Sequence, residues 1–280
     1  MNIPTPGATA FNPNSPCPVI ELPSLDNPRQ LLAAIEAVLC GDALAIVTWI
    51  DPNIAAKAAI VASAVAVEEY RVAPGFAFQA DAAPLFEAHT EHDLMNYLLN
   101  GKLHENRFSE RMHPLPTPAA LIEEAVAAAW PGGIKRLRLR GNRAPFGLVR
   151  HLQPGAQVWP HTDNSDLDRP DVSEFSRAKT NLSAIAYLAP GVGGELSIWN
   201  ERLTTPEEIR AMRLEGHAYA LDTRHLQPPG AVIQPEPGMV VIFDAKHVHA
   251  VGPNRGSTPR VTQSGFVLVS DLNDSATTYY

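Results

Sequence analysis

Two short stretches of this chain carry side chains that could close on one metal ion. The first is His161-Thr162-Asp163, which follows the Pro154-Gly155 turn. Residues two apart in an extended chain point to one face, so this imidazole and carboxylate can reach a single cation. The second is Phe243 to His249 (FDAKHVH), which offers His247 and His249. Two histidines and one carboxylate on one side of a metal leave positions open for a bidentate cosubstrate and for dioxygen. His247 and His249 share a strand face, so alternation does not choose between them. Beyond them stands Arg260, with Thr262 on the same face of a further strand. A planar guanidinium pairs a carboxylate bidentately, and a hydroxyl beside it adds a donor. Alone, an H-x-D tripeptide is a common accident and an isolated Arg is ordinarily one half of a surface ion pair. The order of the elements carries the reading.

These residues need strands to hold them. From Pro145 to Ser270 short apolar runs alternate with Pro/Gly punctuation, predicting strands at Phe146–Gln153, Thr180–Leu188, Glu195–Trp199, Ala231–Gln234, Val240–Phe243 and Arg260–Ser270. A helix at Pro206–Arg213 interrupts them. Before residue 145 the pattern is mainly helical. Pro28 opens a helix to Leu39 that Gly41 stops, and Ala43–Trp49 reads as a buried strand. Asp51 or Asn53 starts a helix to about Tyr70, and further helices fall at Glu91–Leu99 and Pro118–Trp130. Residues 71–90 read as a loop, with Phe76 and Phe78 in a lid. The first thirty or so residues read as an irregular arm. The expected fold is α+β with a mainly β core, a double-sheet jelly roll flanked by N-terminal helices. Residues 1–144 form an arm and helical layer and residues 145–280 the catalytic core, integrated as one domain.

Composition narrows the partners. The net charge of −8 argues against nucleic acid. The alternating Lys135–Arg140 cluster reads as a solvated edge strand. No apolar run is long enough to span a bilayer, and the first residues lack a basic then apolar leader, so a cytoplasmic setting without a membrane partner is expected. Cys17 and Cys40 are too few for a disulfide framework, and Cys40 reads as a small buried apolar residue.

HTD at His161–Asp163, PGMVVIF at Pro237–Phe243, HAVGP at His249–Pro253 and RVT at Arg260–Thr262 resemble the iron(II)- and 2-oxoglutarate-dependent oxygenases. The resemblance runs from Phe146 to Ser270. In that family the metal-binding histidine commonly precedes a small residue and Val, which matches His249-Ala250-Val251 and not His247. The resemblance implies iron(II) held by His161, Asp163 and His249, and 2-oxoglutarate held by Arg260 and Thr262. It also implies dioxygen as oxidant, a C–H bond hydroxylated, and succinate and carbon dioxide released. Within the superfamily the chain looks like bacterial hydroxylases of free or N-acylated amino acids and the related carrier-independent halogenases. Halogenases replace the ligand carboxylate with Gly or Ala, so Asp163 implies hydroxylation of a small molecule, an amino acid or derivative first.

Substrate contacts are less constrained. Asn164, Asp166, Asp168 and Arg169 lie in a charged loop that could meet an amine or carboxylate, or could simply be solvated. Trp159 and Trp199 are candidates for pocket walls or for packing, and His151, Gln153 and Tyr187 for interior positions near the cosubstrate. Three other readings fit part of the pattern. A cupin-type metalloenzyme without 2-oxoglutarate leaves Arg260 and Thr262 idle. A non-catalytic binding protein leaves the whole set idle. Zinc hydrolysis lacks the expected Glu beside a ligand histidine.

Overall fold

A computed structural model describes residues 19–280. In chain order the first part carries β1 (Val19–Glu21), α1 (Pro28–Cys40), β2 (Ala45–Trp49), α2 (Pro52–Ser63), β3 (Val67–Tyr70), β4 (Ala73–Gln79), a 3-10 turn at Leu85–Glu87, α3 (Glu91–Met112) and α4 (Pro118–Ala129). Then follow β5 (Ile134–Arg136), β6 (Arg138–Leu139), β7 (Asn142–Arg143), β8 (Leu148–Leu152), β9 (Val158–His161), α5 (Ser165–Asp168), α6 (Ser173–Ser176), β10 (Thr180–Ala189) and β11 (Leu196–Arg202). The remainder is α7 (Pro206–Ala211), β12 (Ala231–Ile233), β13 (Met239–Asp244), β14 (His247–Val251), β15 (Arg260–Val269) and β16 (Ala276–Tyr279).

Local chemistry sets the helix ends. The Asn27 side chain accepts the Gln30 N–H at the start of α1, and Gly41 at φ 80° closes it. Asp51 accepts the N–H groups of Asn53 and Ile54 at the start of α2. A reciprocal Thr90–Asp93 capping box opens α3.

The large sheet runs β1-β2-β13-β10-β15-β8-β4-β3, with β16 also on β15 and β5 on β16. The small sheet runs β12-β11-β14-β9. Side chains alternate across the large sheet. Ile46, Val149, Ala184, Ile242, Val261 and Val267 point outward into a core shared with α1, α2, α3 and α4. Ala45, Val47, Tyr187, Val241 and Phe243 point inward and meet Leu196, Ile198, Ala231 and Ile233 of the small sheet. The result is the expected sandwich of two sheets with a helical layer behind the larger one.

Several expectations need correction. The second helix stops at Ser63, and Val67–Tyr70 is an edge strand paired with β4. Much of the expected 71–90 loop is strand β4, which pairs with β8 and extends the large sheet. Helix α3 continues to Met112. The Lys135–Arg140 cluster is not a uniformly solvated face: Arg136 is buried between Glu105 and Glu123. Cys40 is exposed rather than buried. The N-terminal arm falls largely outside the described residues, as does Cys17. Among the described residues no helix is long and apolar enough to cross a membrane.

Candidate active site

Strand pairing brings the candidate ligands together. His161 ends β9, and its register partner across the small sheet is His249 on β14. Just past β9 the chain is fixed by the Asp163 N–H, which donates to Ala245 O at 2.8 Å in the β13–β14 turn. This places the Asp163 carboxylate between the rings, with Oδ1 3.8 Å from His161 Nε2 and Oδ2 3.6 Å from His249 Nε2. The three ligand atoms lie within 4.8 Å of one another. His247, by contrast, is turned to Trp199 O through Nδ1 at 3.0 Å and stands outside the cluster.

The outer nitrogens fix the ring orientations. Nδ1 of His161 lies 2.8 Å from Trp159 O, and Nδ1 of His249 lies 2.9 Å from His247 O. An Nδ1–H donated to each carbonyl leaves both Nε2 lone pairs facing the carboxylate, the tautomer a metal requires. Burial and the neighbouring His249 ring lower His161 to about 4, so its imidazole is neutral near pH 7. Burial pushes Asp163 up, but the His249 and His161 rings and the Arg150 guanidinium outweigh it and hold the carboxyl at about 2. Two imidazoles and one carboxylate are a donor set that suits iron(II) and also zinc.

Arg260 and Thr262 lie on the inner face of β15. Thr262 faces Tyr187 across the sheet, and the Arg260 guanidinium stacks 4.9 Å from the centre of the Tyr187 ring. Arg260 is only 4% exposed. Its Nε and the Tyr187 hydroxyl have no hydrogen-bond partner, and no carboxylate pairs with it among the described residues. The side chain fits there because position 194 is glycine: a Cβ would stand 2.8 Å from Arg260 Cδ. A buried cation without a counterion is costly.

The other candidates divide. Tyr187 is an interior residue beside Arg260, whereas His151 faces the helical layer, with Nε2 3.1 Å from Ala62 O. Trp199 packs with Leu203, Leu221 and Val248, while Trp159 is 40% exposed and lies against His217. In the loop after the ligand pair, Asn164 is buried and donates to Thr162, and Asp166 pairs with buried Lys246 at 2.9 Å. Arg169 pairs with Asp171 at 2.8 Å and also donates to the carbonyls of Leu85 and Ala88. It thereby ties the 3-10 turn to the loop that follows the candidate ligands. Between them lies a pocket beside Asp163, lined by Phe86, Ser165, Asp168, Phe266, Tyr279 and Tyr280. Phe76 and Phe78 are not in a free lid; they clasp Tyr70 within the sheet.

Sequence reasoning passed over Arg150. Its partners across the sheet are Thr262 and Phe78, so it stands on the same inner face as Arg260 and Thr262. The signal was present: one charge between Leu148 and Leu152 on an otherwise apolar strand face.

The family described as carrier-protein-independent halogenase WelO5 matches residues 141–280. The chain is 24% identical over 157 residues to an L-gamma-glutamyl-L-propargylglycine hydroxylase of Streptantibioticus cattleyicolor. That match spans 55% of this chain and 56%, just over half, of the relative. In structure the chain is similar to an N-substituted L-amino acid dioxygenase from Burkholderia ambifaria, at 17% identity and a TM-score of 0.58. The match covers 89% of this chain and 91% of that one. The dioxygenase in complex with alpha-KG gives 16% identity, a TM-score of 0.55 and the same coverage.

Proposed function

The chain belongs to the family of the carrier-protein-independent halogenase WelO5, and from that membership we propose that it is an iron(II)- and 2-oxoglutarate-dependent dioxygenase that hydroxylates an unactivated C–H bond of an amino acid or amino-acid derivative. One observation carries the reading: His161, Asp163 and His249 converge on one point with a carboxylate retained. A halogenase would need that carboxylate removed to admit halide. The hydroxylase and dioxygenase named among the similar proteins support the same choice.

In this reading Nε2 of His161, Nε2 of His249 and the Asp163 carboxylate hold the iron. Arg260 receives the distal carboxylate of 2-oxoglutarate in a charge-assisted pair, helped by the Thr262 hydroxyl. When bound, iron, 2-oxoglutarate and dioxygen supply the oxidation, inserting one oxygen atom into the C–H bond and releasing succinate and carbon dioxide. The chain does the rest. Trp159 O and His247 O orient the imidazoles, Lys246 and Asp166 hold the loop after the ligands, and the aromatic walls limit water. The substrate is a small molecule, and the setting is cytoplasmic without a nucleic-acid partner, in keeping with a net charge of −8. The chain is read as one integrated domain, a reading that the pairing of β2 and β4 with the later strands supports. A cupin-type enzyme without 2-oxoglutarate would leave the buried, unpaired Arg260 without a purpose.

The test is succinate formation by iron(II)-loaded protein under air with a panel of amino acids and N-acyl amino acids. Iron-dependent succinate stimulated by a panel member is expected. Asp163→Ala should abolish hydroxylation; hydroxylation at the wild-type rate in that variant would sink the ligand set.

A further inference from the structure

A second guanidinium stands on the same inner sheet face with no carboxylate in an ion pair with it among the described residues. Arg150 projects from the inner face of β8, one strand from Thr262. Its Nε donates to Tyr70 Oη at 2.7 Å and its Nη1 contacts the Ser264 hydroxyl. Both partners are neutral, and no carboxylate pairs with Arg150 among the described residues. The contrast within the chain is instructive. The other guanidinium of comparable burial outside the chamber, Arg136, lies between two carboxylates, Glu105 and Glu123. Tyr70 is itself held by Phe76, Phe78 and Phe86, and Phe86 lines the pocket beside Asp163. Two neutral hydroxyls therefore orient Arg150 without neutralising it, and one of them belongs to Tyr70, whose ring stacks on the pocket residue Phe86.

We propose that Arg150 binds a carboxylate of the substrate, so that the enzyme takes acids rather than amides or esters. The inference rests on the hydroxylase reading and adds the substrate's charge to it. The two arginines then divide their work on one sheet face: Arg260 holds the cosubstrate's distal carboxylate and Arg150 the substrate's. A guanidinium already oriented by Tyr70 and Ser264 loses little freedom on pairing, which favours a bidentate fork over a point charge.

The experiment uses full-length protein loaded with manganese(II) and 2-oxoglutarate, titrated calorimetrically with N-acetyl-L-leucine, N-succinyl-L-leucine and L-γ-glutamyl-L-norvaline. Each is offered as the free acid and as its C-terminal carboxamide. Steady-state succinate assays with iron(II) accompany the titrations. At least one acid should bind more tightly than its amide. Arg150→Met should weaken that acid by about 10- to 150-fold, the worth of a lost charge-assisted hydrogen bond, and leave its amide unmoved. The loss should appear in KM more than in kcat. Arg150→Lys should recover part of the affinity. 2-Oxoglutarate affinity, measured on the same samples, should stay within about twofold of wild type in both variants, a margin far below one lost charged contact. No acid preferred over its amide, or equal acid affinity in Arg150→Met, would overturn the proposal. So would a loss confined to 2-oxoglutarate. Failure of the hydroxylase reading looks different: wild-type protein would not bind 2-oxoglutarate at all.

Discussion

Replacing Arg260 with Met separates a ligand anchor from a structural cation, because the two roles predict opposite signs in the ligand-free protein. The wild-type guanidinium is 4% exposed, has no carboxylate partner, and is offset mainly by its stacking on Tyr187. That stacking is worth about 0.5–2 kcal/mol. The effective penalty for burying an ion is several kcal/mol. A methionine of similar reach removes both, so the ligand-free variant should be no less stable than wild type. In the bound state the balance reverses. Truncating one partner of a buried charged pair costs about 2–5 kcal/mol, so 2-oxoglutarate affinity should fall by about 30- to 5,000-fold. The assay is thermal unfolding of manganese(II)-loaded protein with and without 2-oxoglutarate, backed by calorimetric titration. At a cosubstrate concentration of about 100 Kd the wild type gains about 2.7 kcal/mol. At that concentration the variant should gain at most about 0.9 kcal/mol, falling towards zero at the upper end of that loss. A ligand-free variant several kcal/mol less stable than wild type, with unchanged affinity, would refute the reasoning and make Arg260 a structural residue.

Other outcomes follow from the packing. Gly265→Ala places a Cβ against the Phe146 ring and should cost about 1–3 kcal/mol, read as a lower denaturant midpoint. Burial raises the Glu123 carboxyl, but hydrogen bonding and charge from Arg136, with Thr278, outweigh it and leave it lowered. Its contribution is therefore complete above the ordinary value of 4.5 and is lost as pH falls through the depressed one. Glu123→Gln should flatten that acid limb in pH-dependent unfolding; an unchanged limb would exclude the pair as its source. Asp51→Ala should cost about 1 kcal/mol by uncapping α2, measurable in the same way.

The candidate site was legible because its information is local. An H-x-D pair beside a turn, a strand ending in His-Ala-Val and an Arg-x-Thr each declare themselves within a few residues. The six late strands were readable for the same reason, since β13 is buried at every position from Met239 to Asp244. What was misread depends on distant partners. Val67–Tyr70 continues an Ala/Val-rich helical pattern, and only pairing with β4 makes it a strand. Gly101 weakens the helical signal of α3, yet it is required there because a Cβ would strike Tyr280 and Pro145. Arg136 looked like one charge of an exposed face, and its two carboxylates come from α3 and α4. Cys40 is a different kind of error: the buried stripe of α1 runs through Leu31, Ala34, Ile35 and Val38, and position 40 falls off it.

Arg169 has a consequence for how specificity can be changed. Its guanidinium joins Asp171 to the carbonyls of Leu85 and Ala88, segments more than eighty residues apart in the chain. The two walls of the pocket are thus mechanically one part. Grafting 165–171 alone from a relative without this arginine would leave the carbonyls of Leu85 and Ala88 without their donor, and a graft that shifts 84–88 would leave Arg169 with Asp171 alone. Libraries aimed at new substrates should therefore vary 84–88 and 165–171 together and treat Arg169 as the hinge pin on which both must agree.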